Sequence, residues 1–140
     1  MSLSTYQRHL DNIPKQYRLL KLFRPPIYVI ELSNNQVSAV CYYKDGSSKR
    51  HQVNAAFSNR RMVIADFLSA VQAITDLLLK FPKHPFGISS FAVVNVTEEL
   101  IDGLTMIEIK AIREAVWAAS GQAKRRIVSS MVSYQGQVVS

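Results

Sequence analysis

A single cysteine, Cys41, stands among 140 residues. It can close no internal disulfide and cannot alone hold zinc. With no signal-peptide pattern at the start, the expected compartment is a reducing cytoplasm. No apolar run reaches the ~18–20 residues that span a bilayer. Glycine and proline are scarce, five of each, while hydrophobic residues reach 48%. That balance excludes a disordered or low-complexity chain, and the length suits one domain with its own core. Acids are also few, ten against 17 Lys and Arg, for a formal charge of +7. The shortage is local. Residues 1–64 hold ten bases and three acids (Asp11, Glu31 and Asp45), whereas residues 65–140 hold seven of each. A uniformly basic shell is excluded, and whatever the excess serves belongs to the first half.

What is present falls into three stretches. Residues 4–24 place Tyr6, Leu10, Ile13, Tyr17, Leu20 and Phe23 at spacings of three and four, with Arg8, Lys15, Arg18 and Lys21 between them. This is a basic amphipathic helix pattern, interrupted at Pro14 and stopped by Pro25-Pro26. A β section follows: an apolar run at 27–32, a β-branched and aromatic run at 37–43, an Asp45-Gly46 hairpin signal, and a strand at 49–53. The second half changes period. Asp66 is placed to cap a helix running to about Lys80, with Phe67, Val71, Ile74, Leu78 and Phe81 on one face. Residues 91–96 read as a buried strand. Thr105 and Glu108 form a capping box that opens a helix carrying Ile109, Ile112 and Val116, and Gly121 is the expected left-handed stop. A short strand at 124–129 closes the series. The order is βββ-αβαβ, a mixed five-stranded sheet with flanking helices. The division is a segment at 1–24, a domain at 25–130 and a tail at 131–140.

This order resembles the core of the ribonuclease H-like subdomain of the actin-like ATPases, and particular residues resemble the rod shape-determining protein MreB family. Val63-Ile64-Ala65-Asp66-Phe67 is similar to that family's opening of the first helix. The strand at 93–96, then Gly103-Leu104-Thr105 with Glu108 and Lys110-Ala111-Ile112-Arg113-Glu114-Ala115, resembles its strand-turn-helix. Ala118-Ala119-Ser120-Gly121-Gln122-Ala123 looks like its helix exit, and Leu20-Lys21-Leu22-Phe23-Arg24 is similar to the basic, apolar start of many members. The resemblance implies an ATP cleft whose phosphate loop follows the first strand. That position here holds Glu31, Ser33, Asn34 and Asn35, without the glycine that lets backbone N–H groups approach phosphate. After the last strand the family places acids, where this chain reads Ser129-Ser130-Met131-Val132. Only one wall of the cleft is expected, so no cofactor and no ATP hydrolysis by the chain alone are expected. A role in cell shape or the cytoskeleton follows from the resemblance, exercised by contact with a protein partner such as a full-length actin-like filament protein. The uncovered surface of half a fold points to self-association as a symmetric dimer. A vestigial nucleotide binder completed by a partner chain stands as an alternative.

Other chemistries find little. A two-metal nuclease needs three or four clustered carboxylates, but the first strand offers Glu31 and the fourth ends in Asn95. His9, His51 and His84 are scattered without ligand spacing, and Cys41 beside Tyr42 and Tyr43 reads as a small buried hydrophobe. Lys124-Arg125-Arg126 reads as a solvated strand start. Lys49, Arg50, Arg60 and Arg61 form a candidate phosphate-contact patch, the basis of a nucleic-acid-binding alternative, although aromatic interleaving is poor there. The amphipathic stretch at 4–24 has three readings: packing on the sheet or on the second helix, docking a protein partner, or lying peripherally on the inner face of an anionic membrane, with Arg18, Leu19, Leu20, Lys21, Leu22, Phe23 and Arg24 as its candidate partner or membrane contacts.

Overall fold

The computed structural model describes residues 3–57, 64, 66–83, 89–97, 104–134 and 137–138. The central strand β1 (Ile27–Ser33) pairs antiparallel with β2 (Gln36–Tyr42), and β2 pairs antiparallel with β3 (Ser48–Asn54). On its other side β1 runs parallel to β4 (Ser90–Val96), which runs parallel to β5 (Ile127–Tyr134). β6 (Gln137–Val138) turns back along the end of β5, giving the order β3-β2-β1-β4-β5-β6. The crossovers are α3 (Phe67–Leu79) and α4 (Met106–Ala123). Before the sheet come α1 (Leu3–Asp11), a 3-10 turn (Lys15–Tyr17) and α2 (Arg18–Leu22). Strand order and direction are those of the ribonuclease H-like core.

Local chemistry explains each junction. Asp45 Oδ1 accepts from Ser47 N (2.8 Å) and Ser47 Oγ (2.6 Å), and Gly46 supplies φ 88°, so the β2–β3 hairpin closes where Asp-Gly predicts. Asp66 Oδ1 accepts from Ser69 N (3.1 Å) to cap α3. Thr105 and Glu108 exchange the reciprocal bonds of the capping box. The break at Pro14 separates α1 from the 3-10 turn, as its missing N–H requires.

The two faces of the sheet are covered differently. Tyr28, Ile30, Leu32, Val37, Ala39, Cys41, Val94, Val96 and Val132 project to one face, where Val71, Ile74, Leu77, Leu78, Ile112 and Val116 of α3 and α4 close over them. On the other face, Tyr6, Leu10 and Ile13 pack on Ile27 and Phe91, with Tyr17 and Leu20 at the margin. The N-terminal amphipathic stretch thus packs on the sheet, the first of its three readings.

Several boundaries differ from expectation. Among the described residues the sheet has six strands, and β5 runs through Tyr134, where Val132 is fully buried beneath the helices. The division at residue 130 therefore falls inside a strand. Gly121 lies within α4, and the left-handed stop is Lys124 (φ 57°). Lys124 N donates to Gly121 O (3.3 Å) and Arg125 N to Ser120 O (3.1 Å), the paired bonds of a Schellman motif. Arg125 is buried, not solvated. Its guanidinium donates to Phe81 O (Nε 3.2 Å, Nη2 2.8 Å) and Ala123 O (Nη1 2.6 Å), tying the ends of both helices together. Those bonds account for a helix that outlasts its glycine. Phe67, placed by periodicity on the buried face of α3, is partly exposed at its first turn.

Candidate functional site

The turn at which the resemblance expects a phosphate loop is the two-residue loop of the β1–β2 hairpin, Ser33 pairing with Gln36 across Asn34 and Asn35. Asn35 adopts φ 55°, a conformation asparagine tolerates. Its Oδ1 accepts from Phe57 N (2.9 Å) and its carbonyl from Ala55 N (3.1 Å), so the chain leaving β3 is tied to the turn. Ser33 Oγ is 3.4 Å from Gln36 Oε1. A phosphate nest needs successive backbone N–H groups turned outward around glycine. This hairpin carries no glycine, and both the side chain and the carbonyl of Asn35 are engaged by the chain leaving β3.

Register gathers the neighbouring polar residues. Glu31 stands opposite Ser38 on one side and Asn95 on the other, Ser38 opposite Gln52, and Asn95 opposite Ser133. Gln52, Ser38, Glu31, Asn95 and Ser133 therefore form one row across five strands on the face away from α3 and α4. Ser133 Oγ donates to Asn95 Oδ1. Glu31 is exposed and is the row's one carboxylate. Among the described residues, no three His, Cys, Asp or Glu side chains converge to hold a metal ion. Because β5 continues through Tyr134, the serines at 129 and 130 are interior to the strand, and Ser133 shares the row with Glu31.

Of the basic patch, only Lys49 and Arg50 lie among the described residues. Lys49 and Arg50 are successive exposed residues of β3 and so face opposite sides of the sheet. Arg60 and Arg61 lie outside the described residues, as does His84. His9 lies against the Tyr42 ring (centroids 5.0 Å apart), and its pKa is lowered by burial and by Arg8. His51 stands edge-on to Phe81 (4.8 Å). Cys41 is buried, and desolvation pushes its thiol up to about 12, against opposing hydrogen bonds from Tyr43 and Tyr28.

The predicted contact segment before β1 is split by packing. Leu20 and Lys21 are half-buried, with Lys21 Nζ 3.4 Å from Ile13 O. Leu19, Leu22 and Phe23 stay exposed as an apolar knuckle between Arg18 and Arg24. Arg24 turns the chain at φ 48° and lays its guanidinium 5.5 Å from the Tyr6 ring centroid. No helix among the described residues is long and apolar enough to cross a membrane.

Sequence reading missed a second surface. Met106, Ile107 and Trp117 of α4 are 74–80% exposed. They border a cleft of about 860 Å³ that is also lined by Tyr17, Lys110, Arg113 and Val128. A second cleft of about 890 Å³ shares Trp117, Ile127 and Val128 and adds Lys83, Lys124 and Arg126. The available signal was a tryptophan off the Ile109, Ile112, Val116 face.

No known family profile matches the chain, and no curated protein does. Among solved structures, the ethanolamine utilization protein EutJ from Carboxydothermus hydrogenoformans is similar, with a TM-score of 0.50 and 14% identity over 78% of this chain and 37% of that one. The chain spans little more than a third of that relative's length. What the two share is the fold, and the architecture of this chain is that of a single ribonuclease H-like, actin-like subdomain.

Proposed function

We propose that this protein is a non-catalytic, MreB-like accessory protein, associated with cell shape or the cytoskeleton and acting by protein–protein contact. The observation that carries the reading is the β1–β2 turn. The resemblance expects a phosphate loop there, and Asn35 uses its carbonyl and side chain to anchor Ala55 and Phe57. The adjoining row holds one carboxylate, too few for paired metal ions. The apolar residues left exposed on α4 and α2 give the contact reading its surfaces. Its partner is a full-length actin-like filament protein. A peripheral position at the inner face of the membrane is consistent with the knuckle of Leu19, Leu22 and Phe23 beside Arg18 and Arg24.

The test has two arms on the pure full chain. With ATP and Mg²⁺, turnover is expected to stay at background. With polymerised MreB, the chain is expected to pellet with the filaments. ATP turnover that Glu31→Gln abolishes overturns the non-catalytic reading, and a chain that stays in the supernatant at every filament concentration overturns the choice of partner.

A further inference from the structure

The two outer strands of the sheet end differently. β3 carries exposed Lys49 and Arg50 along its length, charges that discourage another strand from pairing. β6 covers only Ser133 and Tyr134 of β5. Among the described residues, no strand lies on the outer side of residues 127–131. At about 3.3 Å per residue that is an edge of roughly 17 Å. Tyr17, from the N-terminal segment on one face, and Trp117, from α4 on the other, line the same cleft beside it. The seat is therefore walled by an aromatic ring on each side, the arrangement an added strand needs for side chains that alternate between faces.

Charge selects the occupant. The two clefts carry Lys110, Arg113, Lys83, Lys124 and Arg126 against one acid, Glu114, which lies 3.9 Å from Lys110. We infer that the β5 edge is a docking site for a short extended segment of a partner protein, apolar at its centre and acidic at the end beside Lys124 and Arg126. It adds as a strand, with alternate side chains against Trp117 and Tyr17 and its carboxylates among the lysines and arginines. This rests on the protein-contact reading and gives that partner a chemistry.

Trp117 is the chain's one tryptophan and lines both clefts, so its fluorescence reports occupancy directly. Selection of a random nine-residue display library on the pure full chain is expected to enrich peptides with alternating apolar residues and a terminal Asp/Glu cluster. A synthetic peptide of the selected sequence is expected to shift Trp117 emission. Arg126→Glu is expected to weaken binding at least tenfold, as is Trp117→Ala followed with a labelled peptide. Both positions are exposed, so folding should be untouched, and circular dichroism checks this. Methylating every second peptide amide nitrogen is expected to abolish binding in one phase and spare it in the other, since alternate N–H groups face the edge. The site is overturned if no peptide is enriched, if both methylated phases bind alike, or if Arg126→Glu leaves affinity unchanged. Sedimentation showing a dimer that the peptide cannot dissociate gives the edge to a second copy and also overturns it. So does duplex DNA that binds at Lys124 and Arg126 and excludes the peptide. If Trp117→Ala,Arg126→Glu chains still pellet with filaments, the docking site falls while the filament reading stands. Peptide binding without pelleting leaves the docking site and removes the filament partner.

Discussion

Among the described residues, one face of the sheet is a closed core and the other carries a partial cover. Beneath α3 and α4, large apolar side chains from β1, β2, β4 and β5 meet helix residues with essentially no exposure. On the opposite face the cover is the N-terminal segment, which reaches Ile27 and Phe91 at one end of β1 and β4. Beyond it Val29, Val40 and Val93 are half-buried, and the row through Glu31 follows. A sheet buried on both faces needs helices on both. Among the described residues, the helical closure on one face holds the larger core, while the other face is covered by the N-terminal segment at one end.

Truncations on the two faces test this division most directly. Leu77, fully buried between α3 and the sheet, is expected to cost about 3–5 kcal/mol as Leu77→Ala, because the packed surroundings cannot collapse into the cavity. Leu10→Ala, in the small cluster under α1, is expected to cost about 2 kcal/mol, since a short terminal segment can shift to fill the gap. Urea unfolding of both variants gives the comparison. Equal losses would break it, making the N-terminal segment as much a part of the cooperative core as α3.

Much of this division was legible in the sequence. Apolar alternation, Asp45-Gly46, Asp66 and the Thr105–Glu108 pair mark strands, turn and helix starts by chemistry confined to a few neighbouring residues. The stop of α4 was not legible, because it depends on Arg125 reaching Phe81 O, a partner supplied by another element. The extension of β5 was equally hidden, since a Ser-rich stretch becomes a strand once Val132 has a helix layer to meet. At the candidate site, the residues of the degenerate phosphate turn were readable, but the role of Asn35 required knowing that Phe57 returns to it. The Glu31, Asn95 and Ser133 row exists only through register. Tyr17 and Trp117, far apart in the chain, share a cleft because α4 and the N-terminal segment flank the same strand. Local signals revealed the elements, and pairing across the fold created the surfaces.

A smaller effect sharpens the comparison on the partly covered face. Tyr6 is fully buried and its hydroxyl donates to Pro25 O (2.7 Å), tying α1 to the residues entering β1. Desolvation raises its pKa to about 12, opposed by Arg24. Tyr6→Phe removes the bond, leaves the ring and is expected to cost about 1 kcal/mol in urea unfolding. It is also expected to speed amide exchange in α1 more than in α3. Uniform acceleration of both helices would mean that the N-terminal cover unfolds only with the whole domain.

The smallest expected effect is a pH dependence confined to the closed face. Asp66 caps α3, and the Ser69 N–H it accepts lowers its carboxyl pKa below the ordinary 3.8. The 3-10 turn and α2 have no side-chain cap of this kind. A folded pKa below the unfolded one means that the native state binds fewer protons there. The contribution is therefore complete above the unfolded value and fades as pH falls through the folded one. Asp66→Ala is accordingly expected to be less stable than the parent chain at pH 6, with the gap narrowing as the medium is brought to pH 3. Asp45, lowered by Ser47 at the β2–β3 turn, titrates in the same direction and is present in both chains, so it cancels in the difference. A gap of constant size across that range would assign the cap to its neutral hydrogen bond and leave the charge without a share in holding α3 over the sheet.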